Sequence, residues 1–79
     1  MAKVRDVERD AHGRATRIEF LANDGELVVT VRRIGESCAP KIVGRASGGS
    51  AAHRRSAGYI GSSEYCEIMR IAFAMFAED

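Results

Sequence analysis

The fold is decided by residues 17–32, which read RIEFLANDGELVVTVR. Two runs of apolar and β-branched residues flank Asp24-Gly25, and this arrangement is the strongest short-range signal of a β-hairpin. The turn requires positive φ angles, which glycine adopts without steric cost and which aspartate tolerates. We therefore predict an antiparallel hairpin with Asp24-Gly25 as its two-residue turn.

The register set by this turn separates apolar from polar cross-strand pairs. Three pairs on one side of the hairpin are entirely apolar: Ala22 with Leu27, Phe20 with Val29, and Ile18 with Val31. The other side pairs Glu19 with Thr30, both of which tolerate water. Since directly opposite residues share one face of an antiparallel sheet, the hairpin should bury one face and expose the other.

A further strand is predicted before the hairpin, from Lys3 to Asp10, with His12-Gly13 at the intervening turn. This turn produces two favourable cross-strand pairs, which are Val7 opposite Ile18 and Glu8 opposite Arg17. Val4 and Val7 can share a face only if a β-bulge lies between them. Residues 1–34 therefore predict a three-stranded antiparallel meander.

Residues 35–61 have a different composition, with six of the eight glycines and the only proline. Gly, Ala and Ser make up 11 of the 15 residues from Gly44 to Gly58, so this segment has little to bury. Lys41–Val43 is compatible with a short edge strand, and residues 50–58 with a brief helix capped by Ser50. We favour a flexible basic loop over the whole of 35–61.

The last segment, residues 62–78, is predicted to be an amphipathic helix. Ser62 and Ser63 are candidate N-caps, and Glu64 and Glu67 lie near the positive end of the helix dipole. Apolar residues recur at helical spacing and predict the buried face: Tyr65, Ile68, Met69, Ala72, Phe73, Met75 and Phe76. Ile71 falls outside this arc, which indicates a second contact surface on the helix.

The predicted fold is therefore α+β and forms a single domain over residues 1–79. A three-stranded antiparallel β-meander (1–34) packs against a C-terminal amphipathic α-helix (62–78), with a Gly/Ala/Ser-rich basic loop (35–61) between them. A chain of this length buries only about 60% of its unfolded surface, so it gains stability from a partner or a second copy.

Several function classes are disfavoured by composition and motifs. No apolar run approaches the length of a membrane span, and the charged N-terminus does not resemble a signal peptide. The two cysteines and two histidines form no metal-binding motif or disulfide framework. No nucleophile stands in a catalytic pattern with a histidine and a carboxylate. We expect a cytoplasmic protein that is not an enzyme, has no catalytic residues and uses neither a cofactor nor a metal.

The uneven distribution of charge indicates where a partner binds. The whole chain has a formal charge of only +1, yet residues 37–63 contain four basic residues and no acidic one. Arginine can clamp phosphates or carboxylates with two parallel hydrogen bonds. The predicted partner-binding residues are this basic set and the surplus apolar residue of the helix: Lys41, Arg45, Arg54, Arg55 and Ile71.

The plan of the chain, with a hairpin at Arg17–Val31 and a helix over Ser62–Asp79, resembles that of the small phage-encoded inhibitors called anti-CRISPR proteins. The resemblance is architectural and transfers no functional residue. It implies an inhibitor that docks on a larger protein or ribonucleoprotein complex, an RNA-guided effector, and hinders its access to DNA. A homodimer is the other protein partner that the sequence allows.

The alternative function is a small DNA-binding domain, because a three-stranded sheet followed by a helix is similar to integrase-type DNA-binding domains. Strand arginines would read the major groove (Arg9, Arg14, Arg17, Arg32 and Arg33), and Arg54 and Arg55 would hold phosphates. Carboxylates interspersed among them oppose the positive potential that this binding requires: Asp6, Glu8, Glu19, Glu26 and Glu36. Direct binding of nucleic acid is therefore the second choice.

Overall fold

The computed structural model describes residues 2–47 and 60–78. These residues form four strands and one helix, which are β1 (Lys3–Arg9), β2 (Ala15–Ala22), β3 (Leu27–Arg33), β4 (Pro40–Ser47) and α1 (Ser62–Ala77). The strands make one antiparallel sheet in the order β1-β2-β3-β4. Helix α1 covers one face of this sheet, and the other face, called here the outer face, has no helix of the described residues packed on it.

The central hairpin has the predicted register. Ile18, Phe20 and Ala22 lie opposite Val31, Val29 and Leu27, as expected, and all six are fully buried. At the turn, Asp24 has φ 57° and Gly25 has φ 89°, and the Glu26 N–H donates to the Asn23 carbonyl oxygen at 3.1 Å. Asn23 also has positive φ, 51°, so the left-handed backbone covers three residues, the short 3-10 segment Asn23–Gly25, and not only the predicted two.

Strand β1 also has the predicted pairing, and it contains a β-bulge, the condition under which Val4 and Val7 share a face. Val7 lies opposite Ile18 and Glu8 opposite Arg17. The register shifts between Val4 and Asp6, which leaves Arg5 as the extra residue of β1. Because of this shift Val4 lies opposite Phe20 and shares the helix side of the sheet with Val7.

The prediction of three strands is wrong, since residues 40–47 of the predicted loop form β4. The short edge strand considered for Lys41–Val43 extends through Gly44 to Ser47. The physical reason lies in β3, where Val29 and Val31 are fully buried. A buried strand needs a hydrogen-bonded neighbour on both edges, because an unpaired buried backbone group is costly. The low strand propensity of the Gly/Ala/Ser-rich segment is overridden by this requirement.

The helix begins at Ser62, as predicted, but its cap differs. Gly61 is the N-cap residue in an extended conformation, and no side chain caps the helix. Ser62 and Ser63 are therefore the first helical residues and not caps. Glu64 and Glu67 instead accept hydrogen bonds from the sheet side: the Asn23 N–H lies 3.0 and 3.2 Å from the Glu64 carboxylate oxygens, and the Ala2 N–H lies 3.0 Å from Glu67 Oε1.

The buried face of α1 is rotated relative to the predicted arc. Ile68, Ala72 and Phe76 are buried, whereas Tyr65 and Phe73, both predicted to be buried, are exposed. Ile71, predicted to lie outside the buried arc, is half-buried and packs against the core together with Met69 and Met75. The rotation follows from the sheet, because α1 packs against both β2 and β4 and not against the central hairpin alone.

Candidate functional site

The two described members of the predicted basic set lie on opposite faces of the sheet. Lys41 lies opposite Arg32 on the outer face, whereas Arg45 lies opposite Val29 on the helix side. Four positions apart, they would share a face in a regular strand, and the bulge between Ile42 and Gly44 places them on opposite faces. Arg54 and Arg55 lie outside the residues that the structure describes. Ile71 is half-buried and packs in part against the core, so only the rest of its side chain is open to a partner.

The outer face is crossed by a row of cationic side chains from three neighbouring strands. Arg17 of β2 lies opposite Arg32 of β3, which lies opposite Lys41 of β4. Beyond the last pair of these two strands, Arg33 with Pro40, the Ile34 N–H donates a hydrogen bond to the Ala39 carbonyl oxygen at 3.0 Å. Ile34 is 48% exposed and continues the face of Arg32 beyond the end of β3.

In the half of the outer face formed by β1 and β2, cations are balanced by carboxylates. Arg17 Nη1 lies 3.0 Å from Glu19 Oε2, and its Nε lies 3.3 Å from Glu8 Oε1. Arg5 Nε lies 3.8 Å from the other oxygen of Glu19. The hydrogen bonds to Glu19 and then Glu8 raise the pKa of Arg17 above its ordinary value. This half is therefore close to neutral.

The half formed by β3 and β4, called here the basic half, has a different charge pattern. Its outward positions, among the residues that the structure describes, contain two cations and no carboxylate: Arg32, Lys41, Thr30, Gly44, Val28 and Ala46. Arg32 and Lys41 are directly opposite each other, and like charges at such positions are destabilising. An anionic group placed between them would relieve this repulsion, so the pair is suited to a carboxylate or a phosphate.

A concave surface lies on the other side of the sheet, the helix side, between β4 and the start of α1. It is an open cleft of about 580 Å³ lined by Ile42, Arg45, Ile60, Ser62 and Tyr65. Its walls offer apolar surface, one guanidinium and two hydroxyl groups. This chemistry can bind a ligand but does not pair a nucleophile with a base.

The turn between β1 and β2 is organised by one carboxylate. Asp10 Oδ1 accepts the backbone N–H groups of Arg14 at 3.0 Å and His12 at 2.9 Å. The Arg14 N–H in particular lowers the pKa of Asp10 below its ordinary value, and the Arg14 guanidinium, 3.4 Å from Oδ2, adds to this effect. His12 is thereby placed in an exposed structural turn.

The sequence pattern did not predict the pairing of Arg32 with Lys41 or the exposed position of Ile34. The sequence does contain a signal, since Lys41–Val43 is compatible with an edge strand. Pairing those residues with β3 through a turn at residues 35–39 would have placed Lys41 beside Arg32. The low strand propensity of the surrounding segment concealed this register.

Within residues 2–47 and 60–78, no group of three or more His, Cys, Asp or Glu side chains is placed to hold a metal ion. No helix in these same ranges has the length and apolar character needed to cross a membrane. The chain matches no protein-family model, no curated protein and no solved structure.

Proposed function

We propose that the protein is a non-catalytic binding module that docks through the basic half on an acidic surface of a larger protein or ribonucleoprotein complex. The observation that carries the proposal is the direct opposition of Arg32 and Lys41 on the sheet face that no helix of the described residues covers. When two neighbouring cations bind the same carboxylate cluster of a partner, the complex gains both affinity and a defined orientation.

The neighbourhood of this pair favours a protein surface over a DNA duplex. Ile34 adds an exposed apolar side chain beside the cations, and interface centres combine apolar and arginine side chains. Four strands spaced about 4.8 Å apart span roughly the width of a duplex. A duplex lying across the sheet would therefore bring its phosphates toward Glu8 and Glu19 in the other half, which costs affinity.

We propose further that docking inhibits an RNA-guided effector by blocking its access to DNA. The resemblance in plan to small phage-encoded anti-CRISPR proteins supports this class of partner. The described outer face carries more cations than carboxylates, so it does not imitate the charge of DNA. The inhibition would act by steric exclusion after binding to an acidic surface.

Purified RNA-guided effector complexes provide the test, with DNA binding measured by mobility shift in the presence of the protein. We expect the wild type to inhibit one class of effector and Arg32→Glu/Lys41→Glu to lose at least tenfold in potency. The matched control Arg9→Glu/Arg70→Glu makes the same change in charge outside the basic half. Equal potency of the two double variants, or no inhibition by the wild type in any class, would contradict the proposal.

The alternative, a sheet-based DNA-binding domain, is supported by the same exposed arginine and lysine. Fluorescence anisotropy with short duplexes at low and moderate salt distinguishes it. Tight binding that weakens steeply with salt and is abolished by Arg32→Glu/Lys41→Glu would favour this alternative. Flat traces at micromolar protein would exclude it.

A further inference from the structure

Strand β1 leaves one edge of the sheet unpaired in the described chain. It is the terminal strand in the order β1-β2-β3-β4, and six of its seven side chains are exposed. Val4 is 42% exposed although it lies on the helix side opposite Phe20. An edge strand presents unpaired backbone donors and acceptors, which another strand can complete.

The bulge at Arg5 determines which side chains of β1 share a face. Val4 and Val7 lie opposite the core residues Phe20 and Ile18, so both are on the helix side. Lys3 and Glu8 lie opposite Leu21 and Arg17, so both are on the outer face. In a regular strand the members of each of these two pairs would lie on opposite faces, because they differ by an odd number of positions.

We propose that β1 pairs antiparallel with β1 of a second copy of this chain, joining two sheets into one. In the proposed register Val4 lies opposite the partner's Val7, and Lys3 opposite the partner's Glu8. Arg5 then adjoins the partner's Asp6 at the two-fold axis. Each contact occurs twice in such a symmetric pairing, so every charged position of the central six residues meets an opposite charge.

Neighbouring registers lack this complementarity. A shift by one residue in one direction places Asp6 opposite the partner's Asp6 and Lys3 opposite the partner's Arg9. A shift in the other direction places Arg5 opposite the partner's Arg5. A bulge ordinarily protects an edge strand from pairing, but in β1 it is what allows the valines to meet valines and the lysine to meet the glutamate on common faces.

The other edge strand is less suited to self-pairing. Strand β4 contains Lys41 and Arg45 and no acidic residue, so two antiparallel copies would bring cations together. Pairing through β1 leaves the basic half at the outer ends of the joined sheet. The proposed dimer therefore neither requires nor obstructs the binding function proposed above.

Sedimentation velocity over a concentration series, with the full chain, tests this pairing. We expect the wild type to dimerise, and Lys3→Glu or Glu8→Lys each to raise the dissociation constant by about tenfold, since two attractive pairs become repulsive. An equimolar mixture of these two variants should recover the dimer, because each mixed pair again joins a cation to a carboxylate. The double variant Lys3→Glu/Glu8→Lys should dimerise like the wild type.

The control is Lys41→Glu, which makes the same charge change on the other edge strand and should leave the dimer unaffected. Circular dichroism verifies that each variant is folded. A wild type that stays monomeric at millimolar concentration overturns the proposal. So does a mixture of the two single variants that fails to associate, or a dimer weakened equally by Lys41→Glu and Lys3→Glu.

Discussion

At the scale of single residues, a few side chains fix backbone conformations that the strands alone would not specify. Asp10 closes the first turn by accepting two backbone N–H groups, and Asp24 and Gly25 adopt positive φ in the second. Each of these residues acts within five positions of its partner. Their roles can therefore be tested without disturbing the core.

The carboxylate of Asp10 should titrate below its ordinary pKa of 3.8 in the folded protein. Because the folded-state pKa is lowered, the stabilising contribution of Asp10 is present above pH of about 3.8 and is lost as the pH falls through the lower folded value. A titration of the side-chain carboxyl by NMR measures this shift. Arg14→Ala should keep most of it, because the backbone N–H of residue 14 is the main cause; a return to the ordinary pKa in that variant would contradict the assignment.

Two glycines should respond oppositely to alanine. Gly44 lies in β4, where an added Cβ would be 3.9 Å from the Thr30 Cβ, an ordinary contact. Gly44→Ala should therefore stabilise the protein by about 0.5–1 kcal/mol, since glycine within a strand is entropically unfavourable. Gly25 has φ +89°, so Gly25→Ala should cost about 1–3 kcal/mol. Urea denaturation measures both changes, and equal signs for the two variants would refute the reasoning.

At the scale of elements, α1 is held by the row Ile68, Ala72 and Phe76 and by hydrogen bonds that two backbone N–H groups, those of Ala2 and Asn23, donate to carboxylates in its first half. The helix has more apolar residues than can be buried on one of its faces. Their division between core and surface is set by the direction in which the helix crosses the strands.

Two phenylalanines three positions apart on α1 should differ sharply when truncated. Phe76 is 1% exposed and Phe73 is 53% exposed. Phe76→Ala should cost about 3–5 kcal/mol, whereas Phe73→Ala should change the free energy of unfolding by no more than about 0.5 kcal/mol. Thermal and urea unfolding of the two variants compare them directly. Similar losses in both would show that the helix is rotated relative to the orientation described here.

At the scale of the whole molecule, the sheet has a stable centre and two different edges. Strands β2 and β3 are paired on both sides and contribute most of the fully buried side chains, whereas β4 is paired only with β3 among the residues that the structure describes. The molecule combines this centre with one helix-covered face and one outer face that is divided into a neutral half and a basic half.

Hydrogen exchange should follow this division. Amide hydrogens in the backbone hydrogen bonds between β2 and β3 should exchange only through global unfolding. Those in the hydrogen bonds between β3 and β4 should exchange faster, through local opening. NMR-detected exchange at several denaturant concentrations separates the two regimes. If β4 amides exchanged as slowly as those of β3, the fourth strand would be an integral part of the cooperative core.

The sequence determined the features in which neighbours along the chain interact directly. The register of the central hairpin, the pairing of Val7 with Ile18 and the extent of the C-terminal helix all follow from residue spacing and turn chemistry. Such contacts are predictable because turn geometry fixes the register of adjacent strands and amphipathic spacing marks a helix.

Only the tertiary structure decided the fourth strand, the rotation of α1 and the surface where cations meet. Residues 44–47 have little intrinsic strand propensity, and they continue the strand begun by Ile42 and Val43 because β3 needs a second neighbour. The exposed position of Phe73 and the packing of Ile71 depend on how the helix crosses β2 and β4. Arg32 and Lys41 lie opposite each other because β4 pairs with β3. This pairing satisfies the backbone hydrogen bonds of β3, and local residue preferences do not predict it.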